Sequence, residues 1–205
     1  MTMTDYVLWG CGGGGQEVRI VIEAEEHRVV LCFEDGVSGD RVWQGISVVS
    51  PIEERESVLL TMGEPEVRAA RWQTGRELRM SFGQFVSRHA VIQQSTLGSG
   101  TIVLPGSVLM GSRVAENVLV GPMVCVNHEC VVDAHCHLAP GAMLLGGVHV
   151  GEATTIGAHA VILPRLLVGC HCVVGAGAVV THDVPDGSRV VGVPARPVER
   201  RTEMM

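Results

Sequence analysis

Lysine is absent from this chain: all 15 basic residues are arginine. That is a bias of composition and carries no functional reading. Aromatic residues are scarce, at 3% of the chain, while glycine is abundant, at 26 residues. A core with so few rings has to be narrow and filled by Val, Leu, Ile and Ala. The net charge of −7 argues against a general nucleic-acid binder, which needs a basic face. It does not exclude a nucleotide, whose phosphates a few local N–H groups can hold. No apolar run approaches the length of a membrane span, and the first 20 residues lack the charged and apolar pattern of a signal peptide. The expected setting is cytoplasmic, with no membrane and no nucleic acid as partner. Seven cysteines is an odd count without a secretory signal, so no disulfide framework is expected.

What the chain does have is a branched aliphatic residue returning every six positions. The run starts at Val91, Leu97, Val103 and Leu109, drops one residue, and continues from Val114 through Val180. A helix needs a period near 3.6 and a half-buried strand a period of 2, so neither produces a strict six. A short strand plus a turn, repeated, does, which gives a parallel β-helix. The sixteen hexads, at three per coil, predict about five coils. The aliphatic position points inward. The position after it is often glycine (Gly98, Gly121, Gly151, Gly157) and is expected to relax the corner backbone. The fifth position is small and inward, so Cys130, Cys136 and Cys172 are read as core filler.

Before the repeat lies a different pattern. Residues 6–9 form an apolar strand, followed by a glycine cluster from Gly10 to Gly15. A helical segment with Val18, Val21 and Ile22 comes next, then a second strand from Arg28 to Phe33 that ends in Glu34 and Asp35. A third strand near Val58 precedes a helix opened by Pro65. This is a βαβαβ unit. The expected division is a small α/β domain over 1–82 and a β-helix with a C-terminal cap over 83–205.

Gly10, Gly12 and Gly15 match G-x-G-x-x-G, with the acidic pair about twenty residues on. A dinucleotide fold needs two such halves, and there is room here for one. A half-size nucleotide site therefore leads, with NAD binding and a purely structural turn as the alternatives. A second cluster, Asn127-His128-Glu129-Cys130 followed by His135, Cys136 and His137, lies within the coils. His128 is third in its hexad and His137 sixth, so both face outward. Nine residues is half a coil, so the two histidines sit on different faces and could meet only across a subunit contact. A zinc site of the γ-carbonic-anhydrase kind needs two histidines at short spacing and a third about two coils away. His135 and His171 supply the long step but not the short one. No metal is expected.

Together these motifs resemble the bacterial sugar acetyltransferases of the NeuD/PglD-like family, which serve sialic acid, bacillosamine and related amino-sugar pathways. The likeness runs through the glycine turn, the hexads and the Gly192-Val193-Pro194-Ala195-Arg196 ending. It implies a half-Rossmann domain, a left-handed β-helix, and a homotrimer that carries acetyl-CoA in a groove between adjacent coils. His128 matches the family's catalytic histidine and Glu129 the acidic neighbour credited with supporting it. His137 matches a histidine near the acetyl group, and Gly146 a glycine whose N–H holds the thioester oxygen. Ala158 and Gly175, Ala176 and Gly177 would line the CoA arm. Gly10, Gly12, Gly13, Gly14, Gly15, Glu34 and Asp35 match the nucleotide-sugar site. One position departs: Gly14 stands where the family has histidine, which bears on the sugar donor's identity.

The implied reaction is acetyl transfer from acetyl-CoA to the amine of a nucleotide-linked amino sugar, with His128 as general base. A sugar hydroxyl is the near alternative as acceptor. A metal-dependent hydratase and a non-catalytic β-helix protein are the rivals of other classes.

Overall fold

The computed structural model describes residues 3–36, 41–49 and 57–198. The first part is a five-stranded sheet built from β1 (Asp5–Trp9), β2 (Arg28–Phe33), β3 (Arg41–Trp43), β4 (Ile46–Val49) and β5 (Val58–Leu60). Its order is β3-β4-β2-β1-β5, and only the edge pair β3–β4 is antiparallel. The hairpin of β3 and β4 was not expected from the sequence, where its short runs carry no clear period. Two helices accompany the sheet, α1 (Gly13–Ala24) and α2 (Pro65–Glu77). Alternation along β1 divides the core. Tyr6 and Leu8 pack with Val18 and Ile22 of α1, whereas Val7 and Trp9 pack with Trp72 of α2. A strand covered on both faces reads as an unbroken apolar run, which is why 6–9 looks continuous rather than alternating.

The rest is a parallel β-solenoid with three faces. The first face holds eight strands, from β6 (Phe85–Val86) to Arg196–Pro197. The second holds six, from Val91–Gln93 to Val179–Val180, and the third holds five, from Thr96–Leu97 to Leu167–Val168. The stack therefore extends past the hexads at both ends: Phe85–Val86 pairs with Ile102–Val103 at the start, and Val184 and Val190 continue the core at the finish, outside the six-residue rhythm. Stacked partners are eighteen residues apart from Val114↔Val132 to Ile162↔Val180, and sixteen apart in the last parallel pair, Val174↔Val190. In the first coils they are seventeen apart, as in Val103↔Val120. The dropped residue after Leu109 marks this change of period.

The inward aliphatic ladder is fully buried from Val103 to Val180. Its first rung differs from the expectation. Ile92, not Val91, pairs with inward Leu109, and Val91 points out at 45% exposure. The register shifts because the first two rungs, Ile92 and Leu97, are five apart rather than six. The fifth-position residues are buried as expected, and they also act as donors. Ser107 Oγ donates to the Gly121 carbonyl at 2.8 Å and Thr154 Oγ1 to that of Gly169 at 2.7 Å. Cys130 and Cys136 Sγ do the same to Leu145 and Gly151 at 3.1 Å. Burial pushes the Cys136 thiol up to about 12, so it remains a thiol and is no nucleophile.

The glycines that follow the aliphatic positions have another purpose than the one expected. They do not adopt positive φ. A Cβ on Gly157 would stand 2.6 Å from the Ala176 nitrogen, so the residue is glycine because the next coil passes too close. The left-handed backbone falls two residues later, where it is taken by Glu129 (φ 62), His135 (φ 64) and His159 (φ 55) among others.

Polar contacts join the halves on two sides. The buried Glu25 carboxylate, at the end of α1, accepts from Ser87 Oγ at 2.5 Å and from the Arg88 N–H at 2.8 Å. On the other side, α2 lies on the corner between the third and first faces. There Arg68 donates to the carbonyls of Asn117 and Cys136. Phe85, Ile102, Leu104 and Leu119 of the first face enter the same apolar cluster as Tyr6 and Ile22.

Two glycine substitutions separate close approach from backbone conformation. Gly157→Ala should destabilise by about 1–3 kcal/mol through overpacking between coils. Gly187→Ala, with open space around it but φ +68, should cost about 1 kcal/mol. Urea midpoints of the two variants against the parent would check the order.

Candidate active site

His128 and Glu129 sit at the corner that ends the second face, after Cys125–Val126. The corner is held from both neighbouring coils: the Glu129 N–H donates to the Gly111 carbonyl at 2.8 Å, and the Gly147 N–H to that of His128 at 2.9 Å. Left-handed backbone at Glu129 turns its side chain to the same side as His128, which a regular strand would forbid. Glu129 Oε2 lies 3.6 Å from His128 Nδ1, and both side chains are largely exposed, at 81% and 73%. At that distance the carboxylate acts on the ring by charge rather than by a hydrogen bond. One coil on, Gly146 lies directly against the imidazole; a Cβ there would be 2.5 Å from His128 Cε1. Among the described residues no acceptor takes the Gly146 N–H. The edge thus presents an exposed imidazole beside an unpaired donor.

Ala158 and Gly175, Ala176 and Gly177 lie on a different edge, the corner between the first and second faces, where the Gly177 N–H donates to the Ala158 carbonyl at 2.8 Å. The second face separates them from His128 and Gly146. Within one chain the residues expected around acetyl-CoA are therefore not brought together. The outward positions of that face form an apolar ladder of Val91, Val108, Cys125, Met143, Val161 and Val179.

His137 occupies the first face, half-buried under the N-terminal part. A Cβ on Gly63 would be 3.4 Å from its Cε1 and 3.5 Å from its Nδ1. Burial and the Arg68 guanidinium push its pKa down to about 4, against a smaller opposing effect of the Gly63 backbone. His135 is lowered too, chiefly by burial, although Glu152 opposes the shift.

Gly10, Gly12, Gly13, Gly14 and Gly15 line a cleft of about 210 Å³ with Thr61, Met62, Gly63 and Glu64. α1 starts at Gly13 and α2 at Pro65, so two helix N-termini open onto it. Free N–H groups and the positive ends of both dipoles favour an anion there. Gly15 is fixed by close approach, since its Cβ would lie 2.1 Å from the Gly10 carbonyl oxygen. Gly14 is equally constrained: its Cβ would lie 2.4 Å from the Thr61 carbonyl oxygen. Gly12 and Gly13 face open space. Glu34 and Asp35 do not line the cleft. They pair with Arg41 at 2.5 Å and Arg71 at 2.6 Å beside it. Among the described residues no three His, Cys, Asp or Glu side chains gather as metal ligands, and no helix is long and apolar enough to cross a membrane.

Sequence reasoning missed Arg68, Thr61 and Gly63. A signal for Arg68 was present. It occupies the buried stripe of α2 with Pro65, Trp72 and Gly75, where helical spacing calls for an apolar residue.

No family model matches the chain. Solved structures do. The acetyltransferase domain of PglB from Neisseria gonorrhoeae FA1090 superposes with a TM-score of 0.84 at 25% identity, over 95% of this chain and 99% of that one. A mutant of perosamine N-acetyltransferase from Caulobacter crescentus, in complex with CoA and GDP-perosamine, gives 0.86 at 25% identity, over 97% and 98%. By sequence, the chain is 36% identical over 89 residues to YvoF of Bacillus subtilis (strain 168), whose name marks it as an acetyltransferase of unproven activity. That match covers 43% of this chain and 51% of YvoF, so the chain spans about half the length of this curated relative.

Two measurements test the geometry. Gly14→His should displace the Thr61 strand end and lower the thermal midpoint, whereas Gly13→Ala, in open space, should leave it within about 1 °C. Stability should also depend on pH through His137. Its folded value is depressed, so the unfolded chain binds the proton first. Stability is full above the ordinary value of 6.5 and falls as pH drops from there towards about 4. His137→Gln should flatten that acid limb in a series of thermal midpoints; an unchanged limb would place the titrating group elsewhere.

Proposed function

We propose that this chain is an acetyl-CoA-dependent sugar N-acetyltransferase of the NeuD/PglD-like type, built on a left-handed β-helix. Residues 1–82 hold a nucleotide-linked amino sugar, residues 83–205 hold acetyl-CoA, and the reaction is cytoplasmic. The observation that carries this is the exposed His128 imidazole lying against Gly146, whose N–H has no partner among the described residues. His128 takes a proton as the sugar amine attacks the thioester carbonyl, and the Gly146 N–H steadies the oxyanion. The new N–C bond forms, the C–S bond breaks, and CoA leaves as its thiol after gaining a proton. General-base help of this kind is worth about 10²–10⁴-fold, and an oxyanion donor about as much. Glu129 stands beside the ring as its acidic neighbour. The glycine cleft, with two helix N-termini, suits the diphosphate of a nucleotide sugar. Perosamine N-acetyltransferase, bound to CoA and GDP-perosamine, has the same fold over nearly all of both chains. Glu34 and Asp35 act at the rim of this site through their arginine partners.

The site is completed by a second copy. The apolar outward ladder of the second face is unsuited to water along its whole length, with Met143 39% exposed and Val91 45%. Turning that face towards a three-fold axis brings one edge of each copy against the other edge of the next, a heterologous contact that closes into a ring. His128 and Gly146 of one copy then face Ala158 and Gly175 to Gly177 of its neighbour, with acetyl-CoA between them. The neighbour's His137 and glycine cleft lie on the adjoining face and supply the acceptor.

The test is CoA release from acetyl-CoA with UDP-, GDP- and dTDP-linked amino sugars, for the parent and His128→Ala. One sugar should turn over, with a loss of about a hundredfold or more in the variant. Acetyl-CoA binding without turnover of any amine would move the acceptor to a hydroxyl. No acetyl-CoA binding would leave a non-catalytic β-helix.

A further inference from the structure

Among the described residues Arg68 is the one arginine that the fold places wholly out of water. It projects from α2 with no exposed surface, and its guanidinium donates to the carbonyls of Asn117 and Cys136, the latter at 2.9 Å. Its Nε and Nη1 have no partner among the described residues. Among the described residues no carboxylate pairs with it, and burial lowers its pKa to about 10. A buried cation this poorly paired is a stability burden, and an apolar residue of similar volume at such a site is often neutral or stabilising. Something other than stability has to account for it.

Its neighbours suggest what. Arg68 lies one helical turn beyond Thr61–Glu64, the segment that lines the glycine cleft. Its carbonyl acceptor Cys136 immediately precedes His137, and Gly63 of the cleft segment lies against the His137 ring. Asn117, the other acceptor, returns a bond from Nδ2 to the Arg68 carbonyl at 3.3 Å and contacts His135 Nδ1 at 2.8 Å. One side chain thus spans cleft segment, helix and coil.

We propose that Arg68 is a positioning residue for the acceptor: by clamping α2 to the strand that bears His137, it fixes that imidazole at the edge of the nucleotide-sugar cleft. This rests on the function proposed above. The charged and titratable groups around the seam are Arg68 from α2, Cys136 beside His137 on its own strand, and Glu116 and Glu152, which face His135. Of these, Arg68 is the charge that bears on His137. A neutral ring engaged on one side by Gly63 keeps a lone pair on the other. Such a nitrogen can accept an N–H of the incoming sugar amine and orient it. A protonated ring could only repel an ammonium.

The experiment compares the parent with Arg68→Met and Arg68→Lys by four readouts: acetyl-CoA affinity, thermal midpoint, acceptor kcat/KM, and titration of the His137 ring by NMR. In Arg68→Met, acetyl-CoA affinity should hold within about twofold, since the CoA edges flank another face. The midpoint should not fall. The acceptor kcat/KM should drop on the order of a hundredfold, as expected for a misplaced reacting group, and His137 should titrate higher than in the parent, since burial still disfavours its protonation but the Arg68 charge no longer does. Arg68→Lys keeps the charge without the planar fork, so His137 should stay neutral while kcat/KM falls. An unchanged titration and unchanged kcat/KM in Arg68→Met overturn the proposal. If the Met variant does not fold, parent-like kinetics in Arg68→Lys overturn it, and loss of fold in both makes Arg68 merely structural. Should no sugar turn over even in the parent, the transfer reaction fails as a function, and the titration still decides whether Arg68 governs His137.

Discussion

The stacking of one coil on the next is the constraint from which the rest follows. Each coil contributes three inward aliphatic side chains, and each is sealed by backbone bonds such as Gly157 N–H to the Val174 carbonyl at 2.8 Å. The fifth-position hydroxyls and thiols close the corners by donating to carbonyls about one coil on. Because every rung repeats this pattern, a corner residue holds its position relative to the residue one coil above it. Gly146 lies against His128 for that reason: the two share a corner one period apart. A pair assembled this way needs no loop of its own and inherits the rigidity of the stack.

The same corners explain why unusual residues can occupy left-handed backbone. Glu129, His135 and His159 adopt positive φ where glycine would be easier. The strain is spread across a stack in which each corner is bonded to the next, and it turns side chains outward that a strand would direct elsewhere. Other positions are glycine because a Cβ has no room, as at Gly14, Gly15 and Gly157. The departure at Gly14 then has a physical cause: the Thr61 carbonyl occupies the space that a side chain would need.

Polar burial between the halves is uneven. Glu25 is satisfied by two donors, Ser87 Oγ and the Arg88 N–H, and behaves as a structural latch. Arg68 has only part of its donor capacity met and sits where His137, α2 and the cleft segment converge. The contrast separates a contact that holds the halves together from one that adds its charge to the effect of burial on the ring between them. The exposed His128 and the secluded His137 are accordingly different bases, one open to solvent at an edge, the other kept neutral under cover.

The sequence alone determined the solenoid, because a period of six cannot be satisfied by a lone helix or strand. It also determined the inward cysteines, the outward His128, and the glycine turn that opens α1. It failed at the first rung, where Val91 and Ile92 are equally aliphatic and only pairing with Leu109 chooses between them. It also misjudged why the corner glycines are glycine, since close approach between coils is a property of two segments eighteen residues apart. Only the tertiary structure decided that Glu34 and Asp35 turn to Arg41 and Arg71 rather than into the cleft. It alone decided that the residues proposed to surround acetyl-CoA stand on opposite edges of one apolar face, and that Arg68 lies buried beside Cys136 and His137. Local pattern records which way a side chain points; which distant side chain it meets is fixed by how the coils and the sheet pack, and that is where this site is made.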